Sequence, residues 1–318
     1  MLQGIRILDF TQLLPGPFAT RRLAEMGAEV VKIEPPKGDP ARWLGRRVDD
    51  TGIVFLANQA NKQSLFVDLK TEEGLNRVKA IAATADVVIE GFRPGIADRL
   101  GIGYEQIKAM NPSVIYCSLT GYGQTSSLAS LAGHDLNYVA RSGLLAQLKD
   151  RSGQPIVPNV QFADLIGGLA AVERILAALV ARSRTGEGAY LDVDMVSALQ
   201  DLLHIHTYAS EHLGADEGIH EVSGAYVCYQ LYPTKDGRTV ALAALEPKFW
   251  IRFCQAVDRS DWMESQFTEA SDQNPVYLQL KELFASRTMQ AWTELGMQAD
   301  CCLQPVLSVS EKAMRFDA

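Results

Sequence analysis

The segment Ile5-Arg-Ile-Leu-Asp-Phe10, Thr11-Gln-Leu-Leu-Pro-Gly-Pro17, Phe18-Ala-Thr-Arg-Arg-Leu-Ala-Glu-Met26, Gly27-Ala28 and Glu29-Val-Val-Lys-Ile-Glu34 decides the fold class. Residues 5–10 and 29–34 are short apolar runs of strand length. Residues 15–17 read as a loop. Residues 18–26 read as a helix with Leu23 and Met26 inward, and Gly27 is a natural stop after it. The alternation continues outward. Residues 64–69, 86–90 and 113–119 read as strands. A helix follows Thr71, a plausible N-cap with Glu72 and Glu73 favourable in its first turn, and carries Leu75, Val78 and Ile81 inward. Another helix spans residues 104–110. Strands of near-continuous apolar character between helices predict a parallel sheet covered on both faces.

That pattern is nucleotide-type, and the first turn tests it. A dinucleotide fingerprint needs G-x-G-x-x-G between the first strand and helix. Thr11-Gln-Leu-Leu-Pro-Gly-Pro17 has two prolines and one glycine, which cannot form that phosphate cradle, so NAD is disfavoured. Glu34 closes the second strand, where a ribose-binding acid would sit.

The 318 residues carry a formal charge of −8, with 47% hydrophobic and 21% charged residues. The acidic balance argues against nucleic-acid and anionic-membrane partners. The five cysteines are scattered without a C-x-x-C pair, which fits a reducing, cytoplasmic location rather than a disulfide framework. No signal-peptide pattern opens the sequence. No apolar run approaches a membrane span.

Further along, Leu165, Leu169, Val172, Leu176 and Leu179 step by three and four residues, so residues 164–182 read as a helix buried on most sides. Thr185-Gly-Glu-Gly ends it. Residues 190–195 alternate as a strand, and Ser197 caps a helix running towards His212. Asp236-Gly237 between apolar runs at 226–232 and 239–245 signals a hairpin. Helices are expected at 248–257, 276–286 and 289–297. The expected architecture is α/β: a Rossmann-like parallel-sheet domain over residues 1–200, a linker helix and loop over 201–222, and a smaller α+β domain over 223–318.

The candidate chemistry sits after a strand end, where α/β sheets place their sites. There Gly121-Tyr-Gly-Gln-Thr-Ser-Ser127 precedes Gly133-His134-Asp135-Leu-Asn137-Tyr138. Asp164 opens the buried helix, where the ordinary role of an Asp is an N-cap. His204 and His206 are two apart on one helix and cannot face one ligand together. No Cys/His cluster has metal-ligand spacing, so no metal is expected. Glu246 stands before Pro247 at a helix start, and Glu is not a favoured N-cap.

The sequence resembles the class III CoA-transferases and 2-methylacyl-CoA racemases, the CaiB/BaiF-like superfamily. The resemblance lies in Leu8-Asp-Phe-Thr-Gln12, Pro15-Gly-Pro-Phe-Ala19, Gly27-Ala-Glu-Val-Val-Lys-Ile-Glu34, Gly38-Asp-Pro-Ala-Arg42, Val67-Asp-Leu-Lys70, Gly91-Phe-Arg-Pro-Gly95, Tyr116-Cys-Ser-Leu-Thr-Gly-Tyr-Gly-Gln124, Gly133-His-Asp-Leu-Asn-Tyr138, Phe162-Ala-Asp164 and Glu246-Pro-Lys-Phe-Trp250. These pieces occur in family order.

The resemblance implies an acyl-CoA substrate, with coenzyme A as part of the substrate and no prosthetic group. It implies Arg93 and Arg42 at the CoA phosphates, where a guanidinium offers a planar donor fork. It implies His134 and Asp164 as the two bases of a racemase, with Glu246 supporting the site. Asp135 is the candidate to orient the His134 ring. A transferase branch needs only Asp164, as the nucleophile on the thioester. Filling of all three racemase positions favours the racemase branch. The resemblance also implies an interlocked homodimer, with each site shared between one chain's large domain and the other's small domain. The family's C-terminal return segment has no counterpart within these 318 residues.

Racemisation asks for this set. A proton must leave one face of the carbon beside the thioester and another must arrive on the opposite face. Two bases avoid moving one base across the molecule. The intermediate enolate needs preorganised donors, and backbone N–H groups at the start of the helix after Asp164 are the candidates. That helix end lowers a carboxyl pKa, so burial must dominate if Asp164 is to act as a base.

Overall fold

The computed structural model describes residues 1–150 and 152–311. Six parallel strands build the central sheet: β1 (Arg6–Asp9), β2 (Glu29–Glu34), β3 (Lys62–Phe66), β4 (Val87–Glu90), β5 (Ile115–Thr120) and β6 (Ala189–Asp194). Their spatial order is β3-β2-β1-β4-β5-β6. This is the order of the doubly wound dinucleotide-binding sheet, whose connections reverse direction between β1 and β4.

The central strands β1, β4 and β5 are largely apolar because both of their faces are covered. Ile7, Val87, Ile89, Ile115 and Cys117 pack on one side with Ala19, Leu23, Ala171 and Ile175. The intervening residues Leu8, Val88 and Tyr116 pack on the other with Val78, Ala82 and Ile107. Period-two alternation therefore separates two cores rather than a core from solvent. The first core is capped by α1 (Pro15–Glu25) and, further on, α7 (Phe162–Thr185). The second is capped by α3 (Glu72–Ala82) and α5 (Tyr104–Met110). Between these lie α2 (Ile53–Gln59), α4 (Ile96–Arg99) and α6 (Asp135–Ser142), and α8 (Met195–Leu202) follows β6.

Several local expectations are corrected. Residues 15–17 are not a loop, since α1 begins at Pro15. A proline suits the first helical turn, whose N–H groups have no intrahelical acceptor. β3 lies two residues earlier than expected, because Lys62–Phe66 is the stretch in register with Val30–Glu34. Asp164 is the third residue of α7 and not its N-cap, which is Gln161. Ser197 does not cap α8; its N–H donates to Asp194 Oδ1 at 2.7 Å. The helix towards His212 is two helices, α8 and α9 (His204–Leu213). Thr71 does cap α3, accepting from the Gly74 N–H at 3.1 Å. Gly186 closes α7 at φ 76°, in the left-handed region that glycine enters freely.

The chain divides into two compact units after His204, so the expected linker over 201–222 falls mostly within the second. That unit contains β7 (Tyr229–Pro233), β8 (Thr239–Ala243), α10 (Pro247–Ala256), α11 (Pro275–Phe284), α12 (Met289–Ala299) and β9 (Leu303–Pro305). The antiparallel sheet has the order β9-β8-β7, and Asp236-Gly237 turns the β7–β8 hairpin as the sequence predicts. Trp250, Phe253, Phe284, Trp292 and Tyr232 form its core. Residues 312–318 of the expected small domain lie outside the described residues. No described helix is long and apolar enough to cross a membrane.

Candidate active site

A cavity of about 260 Å³ opens at the carboxyl ends of β1, β4 and β5. Its walls are residues 11–13 after β1, 91–94 after β4 and 119–122 at the end of β5 and just beyond it, joined by Gly133, His134, Tyr138 and Asp164. It therefore stands at the reversal between β1 and β4, where such sheets leave a crevice.

Buried charge holds the β1 wall. Asp9 accepts from the Thr11 N–H at 2.8 Å. Lys32 Nζ donates to the Thr11 carbonyl at 2.6 Å, and Asp39 Oδ1 accepts from the Leu13 N–H at 3.1 Å. Lys32 and Asp39 pair at 2.8 Å with each side chain 1% exposed. Burial raises the Asp9 carboxyl pKa, but the ammoniums of Lys32 and Lys62 and the hydroxyls of Thr11 and Thr20 outweigh it and hold the group below its ordinary range. Burial pushes the Lys62 ammonium down to about 8. Three backbone groups of residues 11–13 thus find charged partners, which stiffens a segment lacking regular structure.

His134 and Asp164 line the same cavity, although thirty residues separate them. His134 is exposed and immediately precedes α6. Asp164 is half-buried in the first turn of α7. Burial, then the nearby Asp135 carboxylate, pushes the Asp164 carboxyl up to about 7. Burial and like charge therefore exceed the opposing pull of the helix end.

Asp135 Oδ1 accepts from the Asp164 N–H at 3.1 Å, and the Ala163 N–H also bonds to this carboxyl. This bond directs Asp135 to α7, not to the His134 ring. It also occupies N–H groups at the start of α7, which the sequence reading assigned to an enolate oxygen.

The two arginines differ. Arg93 lines the cavity. Arg42 bonds Glu34 through both Nε at 2.7 Å and Nη2 at 2.8 Å, with its guanidinium 3.8 Å from the Phe55 ring centroid. Its donor fork is directed into the fold. Glu34, weighed as a ribose ligand, also accepts from Ser64 and from the Asp39 N–H. Glu246 belongs to the second unit. It is exposed, is the N-cap residue of α10 and makes no side-chain cap.

Sequence reasoning missed Glu90 and Lys32. Glu90 is buried at the end of β4 and accepts from the Phe92 N–H at 2.7 Å, shaping the wall that carries Arg93. Burial pushes its carboxyl up to about 7. The available signal was a charged residue inside a strand buried on both faces, as in Val-Val-Ile-Glu90 and Val-Val-Lys32. Among the described residues, no group of three His, Cys, Asp or Glu side chains could hold a metal.

Comparison with known proteins places the chain. Residues 2–315 match CoA-transferase family III. A succinyl-CoA:glutarate CoA-transferase of Mus musculus is 40% identical over 252 residues, covering 78% of this chain and 58% of that protein. The chain thus spans less than two thirds of that relative's length. An alpha-methylacyl-CoA racemase of Mus musculus is 33% identical over 316 residues, 98% of this chain and 79% of that one. The crystal structure of a CAIB/BAIF family protein from Brucella suis superposes with a TM-score of 0.85 at 27% identity, covering 97% of this chain and 84% of the other. A parallel sheet in doubly wound order, a crevice at its reversal and a match across nearly the whole chain lead to one assignment: the protein is a member of CoA-transferase family III, the superfamily of CoA-transferases and acyl-CoA racemases.

Proposed function

We propose that the protein is a 2-methylacyl-CoA racemase or epimerase that exchanges the α-proton between two bases through an enolate. The observation that carries this reading is the convergence of His134 and Asp164 on one cavity. In one direction a base takes the proton from carbon, the electron pair passes to the thioester as an enolate, and the other group returns a proton to the opposite face. A carboxyl raised to about 7 by burial exists in both protonation states near neutrality, as a group that must both take and give a proton requires. His134, on the same cavity, supplies the second group. Positioned acid–base catalysis of this kind supplies about 10²–10⁴ in rate. Helix α6 begins beside His134 on the cavity wall, and its N-terminal partial positive charge favours an enolate oxygen there.

In this reading coenzyme A enters as part of the substrate and the protein holds no prosthetic group. Arg93 meets the CoA phosphates. A homodimer, through which Glu246 of one chain supports the site of the other, and a cytoplasmic location belong to the same proposal.

The test is incubation of a single enantiomer of a 2-methylacyl-CoA in D₂O. The expected result is deuterium at the α-carbon together with loss of optical purity. Retention of both hydrogen and configuration rejects the reading.

A second reading is favoured by the 40% identity to the succinyl-CoA:glutarate CoA-transferase. In it the Asp164 carboxylate attacks the thioester carbonyl, expels CoA as thiolate and leaves an acyl anhydride, which a second carboxylate and CoA then resolve. Hydroxylamine during turnover would convert Asp164 to a hydroxamate and inactivate a transferase, leaving a racemase untouched.

A further inference from the structure

The backbone around His134 is tied down by its own helix. The His134 N–H donates to Asn137 Oδ1 at 3.0 Å, and the His134 carbonyl accepts from the Asn137 N–H at 2.8 Å. The carbonyl just before it, of Gly133, accepts from the Tyr138 hydroxyl at 2.7 Å. That bond runs backwards over five residues, and it is the one contact of the three made from within the cavity wall rather than from the exposed start of α6.

Tyr138 is placed to act as a fulcrum. Its ring is buried and lines the cavity with His134 and Asp164. Gly133 and Gly121 both lie directly against the ring, so close that a Cβ at either position would overlap it. Tyr122 packs edge-on at 5.1 Å between centroids. One aromatic ring thus joins the wall after β5, through Gly121 and Tyr122, to the segment that carries His134. Burial, followed by the neighbouring Tyr122 and Asp164, raises the phenol pKa, so the hydroxyl stays a donor across the neutral range.

We infer that Tyr138 is a positioning residue for His134: its hydroxyl, bonded to the Gly133 carbonyl, holds the imidazole in the attitude needed to reach the α-carbon from its side of the cavity. This rests on the two-base reading. A displacement of about 1 Å in a reacting group can cost about 10²-fold in rate, so one hydrogen bond that fixes the peptide before a base has kinetic consequences.

Tyr138→Phe removes only the hydroxyl and keeps the ring against both glycines. The expected result is a fall of about tenfold in kcat for α-deuterium exchange, with KM for the acyl-CoA within about twofold and an unchanged far-UV circular dichroism spectrum. In a His134→Ala background the same change is expected to cost nothing further in the residual exchange from the Asp164 face, because contacts acting through one group are not additive. A purely structural role would cost the same in both backgrounds and would overturn the inference.

A second readout is independent of activity. In protein labelled with [13Cε1]histidine, the His134 resonance, assigned by its absence in His134→Ala, is expected to shift or broaden in Tyr138→Phe while the other four histidines stay in place. An unmoved His134 resonance overturns the inference even if activity falls. A wild-type protein that exchanges no α-deuterium rejects the racemase reading instead, and the resonance then decides the role of Tyr138 alone.

Discussion

The Asp164 N–H donates to Asp135 Oδ1 at 3.1 Å, so the carboxylate beside His134 in sequence is in space the cap of the helix that carries Asp164. This bond both anchors α7 to the start of α6 and places a negative charge beside the Asp164 carboxyl. Two residues 29 positions apart become one electrostatic unit, in which the Asp135 charge adds to burial, the larger cause, in raising the Asp164 carboxyl pKa.

The first prediction concerns that charge. Asp135→Asn keeps an oxygen that can accept from the Asp164 N–H but removes the like charge that helps raise Asp164. The acidic limb of the pH–rate profile for α-deuterium exchange should move down by about half to one pH unit. A limb that stays in place would show that burial alone sets the value.

Asp164 itself links function to stability. Its carboxyl rises from 3.8 to about 7 on folding. The folded state therefore binds the proton more tightly. That contribution to stability is full below about pH 4 and is lost as pH rises through about 7. Asp164→Asn is neutral at every pH. It should abolish turnover and, relative to wild type, stabilise the fold by about 4 kcal/mol at pH 8 and by only about 1.5 kcal/mol at pH 5. Urea unfolding at the two pH values checks this. Equal effects at both would mean that Asp164 ionises normally.

The arginines should separate cleanly. Arg42→Ala breaks a two-point pair with Glu34 and a stack on Phe55, and is expected to lower stability by about 1–3 kcal/mol. Arg42→Lys should not restore it, because an ammonium cannot reproduce the fork. Arg93→Ala should instead raise KM for acyl-CoA about tenfold, the loss of about one charge-assisted bond, with the melting temperature nearly unchanged. Matching effects on KM for both variants would indicate that the two act on the substrate alike.

Beneath the cavity, Lys32→Met should be among the most damaging single changes. It leaves Asp39 charged and buried and removes the donor to the Thr11 carbonyl. Breaking such a pair from one side costs about 3–5 kcal/mol. Urea unfolding measures the loss, and a cost under about 1 kcal/mol would show that Asp39 readily becomes protonated.

Hydrophobic period and turn chemistry were enough to determine the parallel α/β sheet, the β7–β8 hairpin, the Thr71 cap and the stop at Gly186. These depend on neighbours within a few residues, and a strand covered on both faces must be apolar throughout. The motif around His134 and the position of Asp164 were also visible as candidates.

The tertiary structure decided what each candidate faces. It joined His134 to Asp164 in one cavity, turned Asp135 towards α7, paired Arg42 with Glu34 and buried Lys32 within β2 and Glu90 at the end of β4. It also moved the start of α1 to Pro15, because a proline lacks an N–H and the first helical turn has no intrahelical acceptor that would need one. Burial and Coulomb interaction depend on distance in space. A one-dimensional pattern carries no measure of that distance between residues thirty positions apart.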